Sequence, residues 1–217
     1  MRGDGGQAFP VYIAAIAGLL FLGFVYFVVG QAAATRNSAQ TAADAAALAA
    51  AQDAREQLRQ GWLEVLLDPT RWDGFLRGDS YDESSACGQA AAFAARNGAE
   101  LSGDGCLPVE RRGFSVTVQT TGTVGRSVIP GTASRHATAS AKALIEPKCT
   151  FEPPETPEPE EPTPEPDPTD SDEEPDPEPE VIVGLTCDGR DWEIDPESPT
   201  LPSAADLFAV WLAGDDE

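Results

Sequence analysis

The sequence predicts an α+β protein built on a long N-terminal transmembrane and alanine-rich helix. A second helix, a small antiparallel sheet, a disordered Pro/Glu-rich tract and a short C-terminal helix are expected to follow. Three observations predict this class. Residues 8–58 favour helix without a clear break, residues 114–145 hold two stretches of alternating apolar and polar side chains, and residues 152–180 are almost only Pro, Glu and Asp.

The N-terminal helix is expected to run from about Ala8 to Leu58. Residues 11–29 are apolar and uncharged, which is long enough to cross a bilayer as a helix. The chain beyond Gln31 keeps its alanines, which favour helix, but gains polar and charged residues that belong in water. The sequence therefore predicts one helix that starts in lipid and emerges as an alanine-rich rod, with Gly61 ending or bending it.

A cleavable signal peptide is the alternative to an anchor. The run Gln31-Ala32-Ala33-Ala34 offers a small-residue cleavage site, but the apolar core of a signal peptide is about 7–15 residues and this run is nearer twenty. An anchor is therefore favoured, and secretion after cleavage stays open. Arg2 and the α-amine against Asp4 favour a single-pass cell-membrane protein with its N-terminus inside and its bulk extracytoplasmic.

Charge and cysteine usage indicate which partners and which cellular compartment to expect. The net charge of −23 and the sequence pI near 4.1 argue against nucleic-acid binding, which needs a basic surface. All four cysteines follow the apolar run, as expected of disulfides in an oxidising compartment. Three connectivities are possible; local loops favour Cys87–Cys106 and Cys149–Cys187, and four free thiols are the alternative. A single histidine and no C-x-x-C spacing give little support for zinc.

A second helix and two strands are expected in the middle of the chain. The stretch Glu83–Gly98 predicts a helix, with Ser84 or Ser85 as N-cap, Cys87 in its first turn and Asn97-Gly98 as its stop. A turn at residues 102–105 follows, and residues 62–67 are too apolar to be left in water.

The two strands alternate in the way that half-buried strands do. Phe114–Gln119 has three apolar side chains on one face, and Arg135–Ile145 places mostly alanine on one face. A face made of methyl groups requires a partner backbone that comes close. The sheet is therefore expected to pack on a helix, either the rod or Glu83–Gly98.

The C-terminal third begins with the acidic tract. Residues 152–180 cannot bury apolar surface and repel one another, which predicts an extended, disordered segment of polyproline character. A short strand is expected from Val181 towards Trp192. Ser203 to Asp206 resembles a capping box that starts a last helix, which either docks on the domain, as favoured, or binds a partner. The apolar residues of that helix would be Leu207, Phe208, Val210, Trp211 and Leu212.

No set of residues predicts catalysis. His136 falls on the polar face of a predicted strand, and the acidic residues 188–195 do not have the spacing of a calcium-binding loop. The tripeptide Arg77-Gly78-Asp79 is interpreted as a turn. The sequence thus predicts no enzyme, no cofactor, no metal and no small-molecule substrate.

The N-terminal pattern resembles a known family. Gly6-Gln7-Ala8-Phe9-Pro10 precedes the apolar helix, and an alanine-rich motif follows it. The motif residues are Gln40, Ala42, Ala43, Asp44, Ala45, Ala46, Ala47, Leu48 and Ala49. Together they resemble the TadE/TadG-like proteins of Flp (tight-adherence) pilus systems, in the actinobacterial form. The helix ending Arg96-Asn97-Gly98, with the strands after it, is loosely similar to the same family.

The resemblance implies a membrane-anchored, minor-pilin-like component of a Flp/Tad pilus assembly or secretion apparatus. Its partners would be the membrane and other pilus or secretion-system subunits, contacted through the alanine-rich helix. Pilin-type processing uses a glycine followed about five residues later by glutamate, and Gly6 is followed by no acid up to Tyr12. The chain is therefore more similar to the uncleaved TadG type. The rival is a secreted cell-envelope binding module with a disulfide-stabilised domain.

These expectations divide the chain into five segments. Residues 1–10 would be a short cytoplasmic N-terminus and residues 11–30 the transmembrane helix. A pilin-like extracytoplasmic helix and small α+β domain would occupy residues 31–149, followed by the tract at 150–180. Residues 181–217 would form a C-terminal segment with a short strand and an amphipathic helix.

Overall fold

A computed structural model describes residues 8–109, 112–123, 134–154, 181–196 and 200–214. Within them the α+β class is confirmed, with helices on one face of an antiparallel sheet. The helices are α1 (Ala8–Glu64), α2 (Trp72–Leu76), α3 (Glu83–Arg96) and α4 (Ala204–Leu207), with a 3-10 turn at Pro69–Arg71. The strands are β1 (Ala99–Val109), β2 (Gly113–Thr120), β3 (Thr138–Pro147), β4 (Cys149–Phe151), β5 (Ile182–Cys187), β6 (Arg190–Ile194) and β7 (Phe208–Ala213).

Helix α1 is longer than the sequence predicts. It has 57 residues, which at 1.5 Å per residue corresponds to about 85 Å. It does not end before Trp62, as Gly61 predicts, but continues to Glu64. Gly61 instead has a packing role. A Cβ at Gly61 would lie 2.3 Å from Cε1 of Phe75, so the missing side chain makes room for the Phe75 ring. The helix continues past Trp62, which is fully buried. Leu67 is 77% exposed, contrary to the expectation that the apolar residues of 62–67 are shielded from water.

Replacing Gly61 with alanine is therefore expected to lower the free energy of unfolding by about 1 kcal/mol. Alanine gains about 0.8–1 kcal/mol of helix propensity over glycine, but overpacking against Phe75 costs about 1–3 kcal/mol. Gly88→Ala is the matched control, because Gly88 lies inside α3 with nothing within 4 Å of the added Cβ. That variant should gain stability in urea unfolding. Equal gains by both variants would show that Phe75 yields without cost.

Two sheets form the rest of the domain. The larger sheet has the strand order β1-β2-β3-β7, and each neighbouring pair is antiparallel. The smaller sheet has the order β4-β5-β6. Helix α1 packs against β2, β3 and β7, whereas α3 packs against α1 and β1. The predicted packing of the alanine-faced strand on a helix is thus present, and both candidate helices lie on the sheet.

The direction of α3 follows from its contacts with α1. The amide N–H of Asp82 donates to Oε1 of Gln57 at 2.7 Å, and Oγ of Ser85 donates to Oδ2 of Asp53 at 3.1 Å. As α3 advances, its partners on α1 move towards lower numbers. Helix α3 is therefore antiparallel to α1, and its C-terminus lies at the end of the domain where α1 enters it. We call that end, marked by Ala39 on α1, the proximal end.

The caps of α3 differ in part from the prediction. The N-cap is Asp82, not Ser84 or Ser85, because the Asp82 carboxylate accepts from the Ser84 hydroxyl and amide at 2.8 Å each. These Ser84 hydrogen bonds lower the pKa of the Asp82 carboxyl. Cys87 consequently begins the second turn instead of lying in the first. Asn97 caps the C-terminus and Gly98 follows with a φ of 68°, as the stop pattern predicts.

Strand β1 replaces a predicted turn. Residues 102–105 lie inside β1, where the register with β2 shifts between Leu101 and Cys106. Gly103 and Gly105 both have positive φ, at 61° and 67°, so the glycine-rich run forms an irregularity within the strand and not its end. Strand β3 begins at Thr138, three residues later than predicted.

The C-terminal residues complete both sheets. The stretch expected as one strand is a hairpin, β5–β6, that turns at Asp188-Gly189 with φ values of 50° and 73°. Ser203 and Asp206 form the predicted capping box, and the Ser203 hydrogen bonds lower the pKa of the Asp206 carboxyl. The helix is one turn long, however. Residues 208–213 form β7 and pair with β3, so the predicted docking is confirmed and the longer helix is wrong.

Aromatic rings hold the small sheet to the helices, while one disulfide joins α3 to the larger sheet and the other lies within the small sheet. The Trp72 ring lies 5.3 Å from that of Trp62 and 4.7 Å from that of Phe151 in β4. Cys87 is bonded to Cys106, and Cys149 to Cys187, which is the pairing that the sequence favours. The predicted disorder of the tract falls on residues 155–180, outside the described residues. The division into five segments stays a prediction.

Candidate membrane and assembly helix

Helix α1 has two halves with opposite environments. Nearly every side chain from Phe9 to Ser38 is exposed, whereas from Ala39 onwards the helix is part of the hydrophobic core. The exposed half is long and apolar enough to cross a membrane, by length and composition, and none of its most apolar window is buried by the rest of the protein. The large apolar side chains there are Phe9, Val11, Tyr12, Ile13, Ile16, Leu19, Leu20, Phe21, Leu22, Phe24, Val25, Tyr26, Phe27 and Val29.

An exposed apolar surface of this size needs a nonaqueous environment. Soluble monomers rarely leave apolar patches larger than a few hundred Å² in water, and this helix is apolar on every side for about five turns. A helix apolar all round suits lipid or the interior of a larger assembly. The geometry of the exposed half therefore supports insertion, with the folded domain held beyond it.

The alanine-rich motif serves the core of its own domain. Ala39, Ala42, Ala43, Ala46 and Ala47 are fully buried. Ala50, Ala51 and Ala54 continue the same buried face. One side of α1 receives the sheet and another receives α3, whose own buried residues Ala86, Ala90 and Ala94 are also alanines. Methyl groups on both helices allow close approach, so over residues 39–54 the alanine-rich rod is packed inside its own domain.

Gln40 and Asp44 connect the motif to the sheet at the proximal end. Nε2 of Gln40 donates to Oδ1 of Asp44 at 2.8 Å and to the Ser140 carbonyl of β3 at 3.4 Å. Within the family motif these two residues are polar, and Ala45 and Leu48 are only partly buried. The motif residues that can reach another subunit are thus few, and its buried alanines are not among them.

Enlarging a buried alanine of α1 is expected to lower the free energy of unfolding. Ala50→Leu adds three carbon atoms to a fully buried position, and overpacking of this kind costs about 1–3 kcal/mol. Gln52→Leu is the control, since residue 52 is exposed on the same helix. Urea unfolding monitored by tryptophan fluorescence compares them. An unchanged midpoint for Ala50→Leu would mean that α1 does not pack tightly on the sheet and α3.

The other residues considered for function do not assemble a site among the described residues. His136 is exposed, and its Nδ1 lies 2.6 Å from the Thr120 carbonyl. No described His, Cys, Asp and Glu side chains are grouped so that they could hold a metal, and no described cysteine is free. Arg77 and Asp79 of the turn tripeptide pair with Asp73 and Arg112 at 2.7 Å and 3.0 Å, with Gly78 at a φ of 80°.

One cavity lies near the start of the acidic tract. It has a volume of about 570 Å³ between the 3-10 turn, α2 and β4, and its lining includes Pro69, Leu76 and Phe151. Three charged residues line it: Asp73 and Arg77 are bonded to each other, and Glu152 is exposed to solvent. These three side chains do not form a catalytic set.

Comparison with known proteins adds one decisive observation on the N-terminal region. Residues 6–53 match the family of putative Flp pilus-assembly TadE/G-like proteins. The predicted resemblance is confirmed for this region. The match covers the exposed apolar half of α1 and the alanine-rich part that enters the domain, and it ends before Trp62. No curated protein and no solved structure matches the chain.

The TadE/G-like region therefore coincides with one structural feature. It begins just before α1 and ends inside the packed half of that helix. The motif residues in the sequence indicate this region, but they do not show which alanines pack against the rest of the domain. The β7 edge and the glycine at position 61, both of which shape the packing of α1, had no clear indication in the sequence.

Proposed function

We propose that this chain is a membrane-anchored, non-catalytic, minor-pilin-like component of a Flp/Tad pilus assembly or secretion apparatus. The observation that carries the proposal is the coincidence of the TadE/G-like match with a helix whose first half is apolar and exposed on all sides. That half anchors the protein with its N-terminus inside. The disulfide-bonded domain then lies outside the cell, where an oxidising environment maintains both bonds.

The structure changes where partners are expected to bind. The buried alanines hold the domain together, so contacts with other pilus or secretion subunits fall to the exposed half of α1 and to the outer surface of the domain. Within the membrane, side-by-side packing of helices favours small residues. Gly18, Gly23 and Gly30 each have open space where a Cβ would lie, which leaves room for a neighbouring helix.

One observation favours a second candidate, a secreted binding module. A cut after Ala34 would remove the apolar half of α1 and leave the buried half, which begins at Ala39, intact. The domain, with its two disulfides, could then act on its own in the cell envelope.

The mass of the N-terminal peptide, measured separately in membranes, medium and sheared filaments, tests both candidates. The proposal expects an intact start near Met1 in the membrane fraction. A start near Thr35 in the medium would establish the secreted module instead. A start at Gln7 in sheared filaments would make the chain a processed pilin. Deletion of the gene should also reduce piliation or adherence, and unchanged piliation would contradict the assembly role.

A further inference from the structure

We propose that the outer face of the larger sheet is an interface between two copies of this chain that are anchored in the same membrane. The outer face is the side of β1, β2, β3 and β7 that points away from α1 and α3. This inference rests on the proposed function, because the anchoring of both copies fixes how they can face each other.

Strand register shows which side chains lie on the outer face. Phe114, Val116 and Val118 of β2 are fully buried, and Cys106, which pairs with Val116, is bonded to Cys87 of α3. These residues therefore point towards the helices. The residues between them point outwards, because successive side chains of a strand alternate between the two faces. Among the described residues, the helices that pack on these strands, α1 and α3, lie on the other face.

An apolar row crosses the outer face. Val109 pairs with Gly113, Gly113 with Leu144, and Leu144 with Trp211, so that one residue from each of the four strands lies side by side. We call these four residues the apolar row. Trp211 is 36% exposed, and Leu107, in the neighbouring row, is 48% exposed. Tryptophan is enriched among the residues that dominate binding energy at protein interfaces, so the apolar row suits a protein partner.

The membrane anchor restricts how two copies can present this face to each other. Gln40 of α1 donates to Ser140 near the start of β3, and at the far end Lys148 and Arg59 donate to the carbonyls of residues 207 and 202. Strand β3 therefore runs in the same direction as α1. Two copies with their N-termini on one side of the membrane have parallel α1 helices. A face-to-face pair then has its two-fold axis along α1 and the strands, since an axis across the strands would reverse one membrane helix.

This axis makes the outer face complementary to itself. Rotation about it preserves the position of each residue along α1, so each cross-strand row meets the same row of the other copy in reverse order. With the axis between β2 and β3, Val109 faces Trp211 and Gly113 faces Leu144. A larger apolar side chain is thus opposite a smaller residue in each case. Two sheets packed in this way lie about 10 Å apart, with their strands within about 30° of each other.

Size and charge are compatible with association. Four strands about 4.8 Å apart, with six to eleven residues each, give a face of roughly 500 Å² per copy. The total of roughly 1,000 Å² is at the lower limit for a specific interface, and the anchor assists by confining both copies to one plane. Lys142 and Glu146, of opposite charge, lie on either side of Leu144 on β3. Glu100 on this face and the C-terminal residues 215–217 are acidic and oppose association, so the attraction comes from the apolar row.

Crosslinking in membranes tests this arrangement. Thr117 and Ser140 share a polar row of the outer face, and in the proposed pair Thr117 of one copy faces Ser140 of the other. Thr117→Cys and Ser140→Cys are placed in two differently tagged, co-expressed full-length chains, because their hydroxyls are only 2.9 Å apart within one chain and cysteines there would crosslink internally. A short bismaleimide should give at least about tenfold more mixed dimer than the control pair Gln52→Cys and Gln60→Cys, two exposed positions on α1.

Trp211→Ser in both chains should weaken the association at least about 30-fold, because truncation of a central interface tryptophan has an effect of that size and the pair contains two. Leu67→Ser, which removes an exposed leucine outside the sheet, is the matched control and should leave the yield unchanged. Leu107→Glu supplies a second variant of the outer face and should also lower the yield. High salt should leave the yield unchanged or raise it, since it screens repulsion between the acidic chains.

Equal yields from the two cysteine pairs, or an unchanged yield in both outer-face variants, would overturn the interface. A yield that falls at high salt would also overturn it, because an apolar row does not depend on attraction between charges. Absence of the chains from the carbonate-washed membrane pellet would instead contradict the membrane anchor, and with it the proposed function.

Discussion

Leu20→Arg combined with Phe24→Arg is expected to remove the protein from the membrane fraction. Both side chains lie near the centre of the apolar span, and they are 70% and 42% exposed from the protein. A charged residue at the centre of a transmembrane helix costs about 2.5–3.5 kcal/mol of insertion free energy, so the pair costs about 5–7 kcal/mol. That shift is on the order of a thousandfold or more in the ratio of inserted to uninserted chain.

Alkaline carbonate extraction of membranes, followed by quantification of the protein, measures this change. The matched control is Ala33→Arg combined with Asn37→Arg, which has the same spacing and charge beyond the apolar span. The control should stay in the pellet. Retention of the Leu20/Phe24 variant would show that protein contacts, and not lipid, hold this helix. Near-UV circular dichroism should be unchanged in both, because residues 8–38 contribute nothing to the domain core.

The extent of prediction from sequence depended on how local the determining interactions are. Helix α3 and strands β2 and β3 have clear periodicity and recognisable stops, and their approximate positions were correct. Strand β1 was not predicted, because Gly103 and Gly105 have the composition of a turn while the disulfide at Cys106 and pairing with β2 keep the chain in the sheet. Glycine composition alone cannot distinguish a bulge from a turn.

Tertiary contacts determine the secondary structure of the C-terminal residues and the packing of the alanine motif. Residues 208–213 have an apolar sequence compatible with helix, and the capping box that precedes them favours helix. They nevertheless form a strand at the edge of β3, because backbone pairing with β3 outweighs that preference. The sequence predicted that other subunits contact the alanine-rich helix, whereas the structure packs the alanines of this motif against the sheet and α3 of the same chain. Whether the partner was another subunit or the same chain could not be decided from alanine spacing, because both require the same small side chains.

Removal of the Cys149–Cys187 bond is expected to be the most destabilising change within the domain. This bond joins directly paired residues of β4 and β5, and both cysteines are buried. The sequence separation of 38 residues corresponds to about 4 kcal/mol in the chain-entropy description of disulfides. C149S/C187S should therefore lose about that much free energy of unfolding. C87S/C106S, with a separation of 19, should lose about 3 kcal/mol.

The long separation arises from the acidic tract, whose two flanks meet at one point. The Glu152 amide donates to the Gly184 carbonyl at 3.0 Å, and Phe151 pairs with Leu185. Replacing residues 155–180 with two glycines should therefore preserve both sheets. In that shortened chain C149S/C187S should cost only about 3 kcal/mol, because the closed loop is smaller.

A double-mutant cycle in urea measures the difference of about 1 kcal/mol between the two backgrounds. The disulfide stabilises the domain chiefly by lowering the conformational entropy of the unfolded chain, and a longer closed loop makes this effect larger. An equal cost in both backgrounds would place the stabilisation in the folded state, in contacts around Cys149 and Cys187. Loss of folding on shortening would show that the tract itself contributes to the domain. Retention of the fold with a reduced disulfide effect would establish the tract as a loop that the domain carries from two adjacent strand ends.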